Sequence, residues 1–342
     1  MLKSSNGGLV VVTGATGHVG NVLVRELVAR GHRVRVVVPE AEDVTPISDL
    51  GLDTVTGDVR DHDSLARAFE GADVVFHLAG IVTISSGLSR LLDEVNVRGT
   101  RNVVRACLDV RIRRLVYTSS VHALCEPPHG VPVREESVFK PETLLGDYAQ
   151  SKARASAEVM KGLRDGLDAV IAFPSGVIGP YDYKPSEMGQ LFLEFGRGRL
   201  RPYVDGAYDF VDVRDVVGGL VSAMEKGRRG EGYILSGNRV TVRQMLDVLG
   251  QVTGRSPFRF RVPRALALAA AALAPAYSRL TAKRLLFTDY SIRVLGSNCL
   301  MDRNKAETEL GYRVRPFAET VESAIRWFRD TGRLESGNGR PQ

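Results

Sequence analysis

A glycine-punctuated turn near the N-terminus constrains the fold of this chain more than any other feature. The apolar run Leu9-Val-Val-Val12 leads directly into Thr13-Gly-Ala-Thr-Gly-His-Val-Gly20. Apolar residues at helical spacing follow, including Val19, Leu23 and Leu27. The order of strand, glycine turn and helix is that of the first unit of a dinucleotide-binding α/β fold.

Each glycine of the turn has its own predicted role. Gly14 permits the tight turn, Gly17 lets the backbone approach a pyrophosphate, and Gly20 lets the helix pack closely on the strand. N–H groups at the start of the helix would then face the phosphates. The loop residues predicted to bind the cofactor are Gly14, Thr16, Gly17, His18, Val19 and Gly20.

A tyrosine and a lysine, Tyr148 and Lys152, stand four residues apart further along the chain. Residues at this spacing share one face of a helix, so both side chains can point at one bound ligand. A phenol ordinarily ionises near pH ~10, and an adjacent cation lowers that pKa, which equips a tyrosine to exchange a proton near neutrality. Combined with the glycine turn, the pair predicts hydride-transfer chemistry.

The order of predicted elements indicates an α/β fold. Strand-like and helical segments alternate up to about Phe173, which predicts a doubly wound parallel sheet with helices on both faces. With 342 residues and 44% hydrophobic content, the chain can bury a large core. Beyond Pro174 the pattern becomes irregular and rich in Gly, Pro and Tyr, which indicates a smaller C-terminal substrate-binding lobe.

Further motifs occur in a fixed order along the chain. They are Gly57-Asp-Val59, Val74-Val-Phe-His-Leu-Ala-Gly80, Asn96-Val-Arg-Gly-Thr-Arg-Asn102, Tyr117-Thr-Ser-Ser120, Phe173-Pro-Ser-Gly-Val-Ile-Gly-Pro180 and Phe210-Val-Asp-Val-Arg-Asp215. Together with the glycine turn and the Tyr148 pair, they resemble the extended short-chain dehydrogenase/reductase family, also called the NAD-dependent epimerase/dehydratase superfamily. The resemblance covers nearly the whole chain and implies a Rossmann fold.

The C-terminal part resembles one branch of that family, the branch of dihydroflavonol 4-reductase and 3β-hydroxysteroid dehydrogenase. The resemblance lies in Met301-Asp-Arg-Asn-Lys-Ala306, in Leu310-Gly-Tyr312 and in the apolar stretch 265–274. The family pattern divides the chain into a Rossmann domain at 1–174, a substrate-binding lobe at 175–334 and a flexible tail at 335–342. Segments near 210–217 and 232–236 would return to the Rossmann body.

The resemblance also assigns roles to individual residues. Ser120 would hydrogen-bond the reacting oxygen, Tyr148 would transfer the proton, and Lys152 would lower the pKa of the phenol and hold the nicotinamide ribose. The remaining residues expected to bind the cofactor are Asp58 and Val59 beside the adenine, Leu78, Ala79 and Gly80 at the ribose, and Pro174 and Val177 at the carboxamide.

Other residues near these motifs receive different expectations. Ser119 is a strand-end hydrogen-bonding residue, and Asn96 organises the region without catalysing. His122 and Tyr181 are expected to contact substrate, His122 because it follows Ser120 closely.

The preference between the two nicotinamide dinucleotides depends on the end of the second strand. An acid there binds ribose hydroxyls, whereas an arginine accepts a 2′-phosphate. In the family the acid aligns with Val38 and the arginine aligns with Pro39, so this chain has neither residue at its usual position. Glu40, Glu42 and Asp43 follow and would repel a phosphate. The sequence therefore slightly favours NAD(H) over NADP(H).

Three functions are compatible with these motifs. The first is an NAD(P)-dependent oxidoreductase that interconverts a carbonyl and an alcohol on a fairly apolar small molecule. The second is a nucleotide-sugar 4-epimerase or dehydratase with tightly bound NAD, in which Arg199 and Arg201 could grip a pyrophosphate. The third is a non-catalytic dinucleotide-sensing regulator, which the intact Ser120, Tyr148 and Lys152 disfavour.

Composition and residue spacing limit the kinds of partner that we expect the protein to bind. The net charge of +6 is spread along the chain without a nucleic-acid motif, and the three cysteines and six histidines lack the spacing of a disulfide framework or a metal site. The apolar stretch Ala265 to Ala274 is shorter than the ~20 residues of a membrane-spanning helix. We expect a cytoplasmic homodimer that acts on a small molecule, with peripheral contact to anionic lipid as an open alternative because arginines and lysines flank this stretch.

Overall fold

The computed structural model describes residues 8–83, 88–135, 138–199, 202–256, 260–269 and 289–335. Its strands are β1 Leu9–Thr13, β2 Arg33–Val38, β3 Asp53–Thr56, β4 Ala72–His77, β5 Arg114–Thr118, β6 Ala169–Pro174, β7 Gly176–Ile178, β8 Ala207–Asp212, β9 Gly232–Leu235 and β10 Asn238–Thr241. Its α-helices include α1 His18–Ala29, α2 His62–Phe69, α3 Ser89–Leu92, α4 Gly99–Asp109, α5 Asp147–Arg164, α6 Glu187–Gly196, α7 Val213–Lys226 and α8 Val242–Thr253, followed by the helices Asp289–Val294 and Phe317–Asp330.

Seven strands form one parallel sheet in the order β3-β2-β1-β4-β5-β6-β9. The central strands of the sheet are rich in β-branched residues and largely buried, as β1 is along its whole length, whereas the edge strand β3 is mostly exposed. The direction of strand succession reverses between β1 and β4, which opens a crevice at their carboxyl ends where α/β proteins bind ligands. The predicted doubly wound α/β fold is confirmed.

Helices cover both faces of this sheet. On one face, α1 and α7 bury Leu23, Leu27 and Leu220 against the strands. On the other face, the apolar sides of α2, α4 and α5 bury residues such as Phe69 and Val159. The two layers hold the carboxyl edge of the sheet, and with it the candidate site, in a fixed position.

A second, smaller sheet contains β10, β8 and β7 in that order. β7 runs parallel to β8, and β10 runs antiparallel to it. The helices α6, α8 and Phe317–Asp330 enclose a separate core on this sheet, with Phe192, Leu249 and Phe328 fully buried. This lobe lies directly after Pro174 in the chain, where the irregular sequence begins.

The structure places the two segments expected to return to the Rossmann body in different sheets. β9, Gly232–Leu235, is an edge strand of the large sheet and pairs with β6. Residues 210–212 instead belong to β8 of the small sheet, and only the following helix α7 packs back on the large sheet. Segment 210–217 therefore crosses between the two sheets. The domain division at residue 174 stays a prediction, and residues 336–342 of the expected tail lie outside the described residues.

Candidate active site

The glycine turn between β1 and α1 is closely packed at two glycines and open at the third. Gly14 has φ +76°, and a Cβ there would lie 2.5 Å from the backbone nitrogen of Ala79. A Cβ on Gly20 would lie 2.0 Å from the carbonyl oxygen of Gly14. At Gly17 the closest approach is 3.4 Å, so space remains in front of α1. No side chain caps α1 at Gly17, and this cradle fits a dinucleotide pyrophosphate.

The other residues of the turn tie it to neighbouring segments. The Thr16 hydroxyl donates to Glu42 Oε1 at 2.6 Å, which joins the turn to the loop after β2. His18 Nε2 lies 2.9 Å from the carbonyl oxygen of Pro180 in the lobe. Val19 packs on the core between α1 and the sheet. The turn therefore contacts both the sheet and the lobe.

The segment predicted to bind the ribose, Leu78 to Gly80, lies between β1 and α5. The Leu78 N–H donates to the Thr13 carbonyl at 3.1 Å. A Cβ on Gly80 would lie 3.2 Å from Asn96 Oδ1 and 3.6 Å from Lys152 Nζ. A side chain there would occupy space beside the lysine ammonium, which explains why a glycine stands at this position.

Three more predicted cofactor contacts occupy the carboxyl edge of the large sheet or its continuation. Val59 is buried, and its carbonyl accepts from Asn102 Nδ2 at 3.0 Å. Pro174 ends β6 opposite Leu235, and Val177 is half-buried in β7. Their contacts with a cofactor stay predictions.

Asp58 is engaged within its own loop. Its carboxylate pairs with Arg60 at 2.6 Å, and this guanidinium holds the pKa of Asp58 below its usual value. Its predicted position beside an adenine stays a prediction, and the ion pair shows that the carboxylate already has a partner.

The catalytic helix α5 begins just after Gly146 and carries Tyr148 in its first turn. Lys152 stands one turn later and is almost fully buried. Its ammonium donates to the Thr118 carbonyl at 2.9 Å and lies 5.1 Å from the centre of the Tyr117 ring. Burial lowers the pKa of Lys152 to about 8.

The end of β5 brings Ser120 to the same place. The Ser120 hydroxyl oxygen accepts from the His122 N–H at 3.2 Å. The His122 ring in turn meets the Tyr148 ring edge-on, with centroids 6.2 Å apart and planes at 73°. Since Thr118, which holds Lys152, lies two residues before Ser120, the structure brings the three predicted catalytic residues to one corner of the sheet.

Ser119 points away from this corner, toward the middle of α5. Its hydroxyl lies 2.8 Å from that of Ser156, and both side chains are buried. This contact agrees with the expected role of Ser119 as a strand-end hydrogen-bonding residue.

An aromatic pair borders the catalytic corner on the side of the lobe. His122 Nε2 lies 2.8 Å from the Tyr208 hydroxyl, and the two rings stack with centroids 5.8 Å apart. Burial lowers the pKa of His122 to about 4, so the imidazole is neutral at pH 7. Sequence reasoning missed Tyr208, although its place beside Phe210 in an aromatic strand could have indicated a lobe side chain.

Tyr181, the other residue expected to contact substrate, has a different set of contacts. Its backbone is left-handed, with φ +66°. The Arg25 guanidinium lies 5.2 Å from the centre of its ring, and the Trp327 ring lies 6.1 Å away. These contacts join α1 to the C-terminal helix, and a substrate contact at Tyr181 stays a prediction.

Asn96 connects the ribose-side loop to the catalytic helix. Its Oδ1 accepts from the Ile81 N–H at 2.8 Å, and its Nδ2 donates to the Ile81 carbonyl and to the Ser151 hydroxyl, each at 3.0 Å. Ser151 donates to the Tyr148 carbonyl at 2.7 Å. The amide thus holds the loop against the first turn of α5, as expected of an organising residue.

A buried histidine that sequence reasoning did not single out lies behind this site. His77 Nδ1 is 2.8 Å from the Thr13 hydroxyl, and Nε2 is 3.0 Å from the Thr100 hydroxyl. Because Thr100 donates to the Asn96 carbonyl at 2.6 Å, it accepts from Nε2–H, and Nδ1 accepts from Thr13. Burial, and then the Lys152 charge, lower the pKa of His77 to about 3.

Within the described ranges, no three His, Cys, Asp or Glu side chains come together in a way that could hold a metal ion. In the same ranges no helix combines the length and apolarity needed to cross a membrane. Residues 270–274 of the apolar stretch lie outside the description.

Comparison with known proteins extends these observations. The model of the NAD dependent epimerase/dehydratase family matches residues 10–236. The chain is 37% identical over 328 residues to sterol demethylase protein B of Methylococcus capsulatus, covering 95% of this chain and 99% of that protein. It is 31% identical over 315 residues to a 4-hydroxy-2-methyl-3-oxo-4-farnesyl-3,4-dihydroquinoline-1-oxide ketoreductase of Stigmatella aurantiaca, covering 88% and 90% of the two chains.

A solved structure agrees in fold over the whole chain. The crystal structure of gox2253 superposes with a TM-score of 0.84 at 33% identity, covering 96% of this chain and 100% of that one. With the glycine cradle and the Ser120, Tyr148 and Lys152 corner in place, this chain belongs to the NAD-dependent epimerase/dehydratase family, that is, to the extended short-chain dehydrogenases/reductases.

Proposed function

We propose that the protein is an NAD(P)-dependent oxidoreductase that interconverts a carbonyl and a secondary alcohol, or an aldehyde and an alcohol, on a fairly apolar small molecule. The observation that carries this proposal is the position of Lys152. Its ammonium is held by the Thr118 carbonyl at the carboxyl edge of β5, one helical turn after Tyr148 and two residues before Ser120. A cation, a phenol and a hydroxyl thus meet where the sheet binds ligands.

The proton chemistry follows from these three groups. In the reducing direction the Tyr148 phenol gives its proton to the substrate oxygen, and in the oxidising direction it takes that proton back. The Lys152 charge favours the phenolate that remains after the transfer. A bound nicotinamide dinucleotide supplies or accepts the hydride.

Ser120 is suited to donate to the substrate oxygen. Its own oxygen accepts from the His122 N–H at 3.2 Å, which fixes the side chain and leaves its O–H available as a donor. The strand end holds this hydroxyl on the same side of the sheet as Lys152. Ser120 therefore orients the carbonyl for proton transfer from Tyr148.

The substrate class is inferred from the walls of the corner. The stacked rings of His122 and Tyr208 present an aromatic surface, and His122 is neutral at pH 7. An apolar carbonyl compound gains more from such a wall than a charged one does. The names of the relatives, a sterol demethylase protein and a ketoreductase of a farnesylated quinoline, support the same class.

The alternative, a nucleotide-sugar 4-epimerase or dehydratase, uses the same catalytic residues. It needs cationic side chains that can grip a pyrophosphate. Arg199 is already paired with Glu194 at 3.1 Å, and Arg201 lies outside the described residues. A dinucleotide-sensing regulator is disfavoured by the assembled catalytic corner.

Two measurements test the proposal. The first denatures freshly purified protein and quantifies released dinucleotide by mass spectrometry: little retained cofactor supports an exchanging oxidoreductase, whereas stoichiometric NAD supports the epimerase or dehydratase. The second follows NADH and NADPH oxidation with a panel of apolar ketones and aldehydes. The variant Tyr148→Phe should lower turnover about 10²- to 10⁴-fold, with NADH binding nearly unchanged.

The control variant is Tyr233→Phe, which removes a phenolic hydroxyl near the amino end of β9, away from the carboxyl edge of the sheet. It should turn over at the wild-type rate. Equal turnover by Tyr148→Phe and the wild type would refute the role of Tyr148.

We further propose NAD(H) as the preferred cofactor, on the ground of the acidic residues after β2. A homodimer is also proposed, from the resemblance alone, and sedimentation of the purified protein would test it. A cytoplasmic location is proposed because the three scattered cysteines fit a reducing compartment. Peripheral contact with anionic lipid is a weaker proposal, supported by Leu266, which is 62% exposed beside Arg264. Binding to anionic vesicles would test it.

A further inference from the structure

We propose that Glu42 recognises the adenosine ribose hydroxyls and thereby sets the preference for NAD(H), a role that rests on the proposed function because it requires a bound dinucleotide. Three acidic residues follow β2, and the structure gives them different contacts. Asp43 accepts from the Thr45 N–H at 2.9 Å and so belongs to its own turn. Glu40 is exposed. Glu42 alone of the three accepts from the glycine turn, through the Thr16 hydroxyl at 2.6 Å.

The position of Thr16 defines what Glu42 can reach. Thr16 stands between Gly14 and Gly17, directly beside the open cradle in front of α1. β2 pairs with β1, so the loop after β2 borders the same cradle. In a dinucleotide bound there, the adenosine ribose lies next to the pyrophosphate, on the side of β2. A carboxylate attached to Thr16 therefore lies at the ribose edge of the cradle.

Glu42 supplies a function that the usual positions lack. Val38 and Pro39, at the end of β2, carry no group that could bind a hydroxyl or a phosphate. A carboxylate accepts hydrogen bonds from the two ribose hydroxyls and repels a 2′-phosphate. Glu42, four residues after Val38, thus discriminates between NAD(H) and NADP(H) from a position further along the loop.

A lysine of the lobe completes the arrangement. The Lys184 ammonium forms an ion pair with Glu42 Oε1, although the two residues are 142 positions apart. Partial burial acts to raise the pKa of Glu42, but the bonds from Lys184 and Thr16 outweigh it and lower that pKa. Glu42 is therefore ionised at neutral pH and held in place by two donors.

Lys184 also makes the inference testable in the opposite direction. While Glu42 is ionised, it neutralises this ammonium and keeps it from a 2′-phosphate. Without the carboxylate charge, Lys184 would become a cation beside the ribose and could pair with the phosphate of NADPH. Loss of Glu42 should therefore both weaken NADH binding and strengthen NADPH binding.

The experiment measures dissociation constants for NADH and NADPH without substrate, by fluorescence titration of the full chain. We expect the wild type to bind NADH more tightly, and Glu42→Gln to shift the ratio of the two constants toward NADPH at least tenfold. Glu40→Gln, which removes the same charge from an exposed side chain of the same loop, should shift the ratio far less. Equal shifts in both variants, or no shift in Glu42→Gln, would overturn the proposal.

Lys184→Met separates the carboxylate from the ion pair. It should keep the preference for NADH, and the double variant Glu42→Gln/Lys184→Met should lose the gain in NADPH binding. If Lys184→Met alone shifted the ratio as far as Glu42→Gln does, the ion pair and not the carboxylate would set the preference. Unchanged melting temperatures would show that each variant is folded.

Since binding is measured without turnover, the outcomes separate the two proposals. A protein that binds both dinucleotides but reduces no carbonyl would contradict the proposed reaction and leave the role of Glu42 to be judged by its ratio. A wild type that binds neither dinucleotide would overturn both.

Discussion

The imidazole of His122 is hydrogen-bonded to the hydroxyl of Tyr208 at 2.8 Å, and this bond joins the catalytic corner of the large sheet to the lobe. His122 follows Ser120 on the large sheet, whereas Tyr208 belongs to β8 of the small sheet. The geometry of Ser120, which accepts from the His122 N–H, is thereby linked to the position of the lobe. A change at this contact is therefore expected to affect the lobe and the position of Ser120 together.

Tyr208→Phe should weaken substrate use while leaving cofactor binding intact. The variant keeps the stacked ring and loses one hydrogen bond to His122, a change worth about 1 kcal/mol. We expect the KM for a carbonyl substrate to rise about fivefold with less effect on kcat, and the Kd for NADH to stay the same. Steady-state kinetics would show this, with Tyr233→Phe in β9 as the control, and an unchanged KM in Tyr208→Phe would contradict it.

The activity should depend on the charge of Lys152 at alkaline pH. Burial lowers the pKa of Lys152 to about 8, so the ammonium is present below that pH and lost above it. Because the charge supports proton transfer by Tyr148, kcat/KM should fall as the pH rises through about 8.

The variant Lys152→Arg keeps its positive charge above pH ~8. It should therefore move the fall in kcat/KM to higher pH, even if the rate itself is lower. Lys161→Arg, on an exposed turn of the same helix, should leave the profile as it is. A fall at the same pH in Lys152→Arg and the wild type would assign it to another group.

Gly17→Ala should weaken cofactor binding without unfolding the protein. Gly17 has φ −73°, which alanine adopts readily, and its Cβ would come no closer than 3.4 Å to the Gly14 oxygen. The methyl group would instead occupy the space through which a pyrophosphate approaches α1. We expect the Kd for NADH to rise at least tenfold with a nearly unchanged melting temperature.

Gly31→Ala is the matched control for that substitution. Gly31 has φ +80° with nothing near its Cβ, so alanine there costs about 1–2 kcal/mol of stability. Its NADH affinity should not change. Normal NADH binding by Gly17→Ala would show that the pyrophosphate does not lie at this glycine.

The sequence predicted the fold and the meeting of Ser120, Tyr148 and Lys152 at one corner because both depend on local patterns, while the catalytic roles of these residues stay predictions. A Cβ on Gly14 or Gly20 would meet backbone atoms within 2.5 Å, and Tyr148 and Lys152 share a helix face by their separation alone. The parallel order of the strands fixed the meeting of α5 with the end of β5. These contacts needed no knowledge of distant loops.

Contacts between distant segments could not be predicted in this way. His122 and Tyr208 are 86 positions apart, and Glu42 and Lys184 are 142 apart. Each pair meets only because the lobe packs on the Rossmann body, and a single sequence contains no signal for that packing. The same reason applies to segment 210–217, which the family resemblance places in the Rossmann body. Its strand residues pair in the small sheet, and only the start of α7 packs on the large one.

The buried His77 should make the fold sensitive to acid. Its pKa is about 3 in the folded protein against about 6.5 in the unfolded chain, so below pH 6.5 the unfolded state binds a proton that the folded state does not. The contribution is fully present above pH 6.5 and is lost as the pH falls toward about 3. Between pH 7 and pH 5 the loss from this group is about 2 kcal/mol.

His77→Gln removes this titration while keeping an amide that can bond Thr13 or Thr100. The variant should be less stable than the wild type at pH 7. The difference between their free energies of unfolding, the gap, should narrow by about 2 kcal/mol at pH 5. Urea unfolding at both pH values measures the gap, and the other titrating groups cancel because both proteins contain them. A gap of the same size at the two pH values would mean that His77 is not held neutral by the fold.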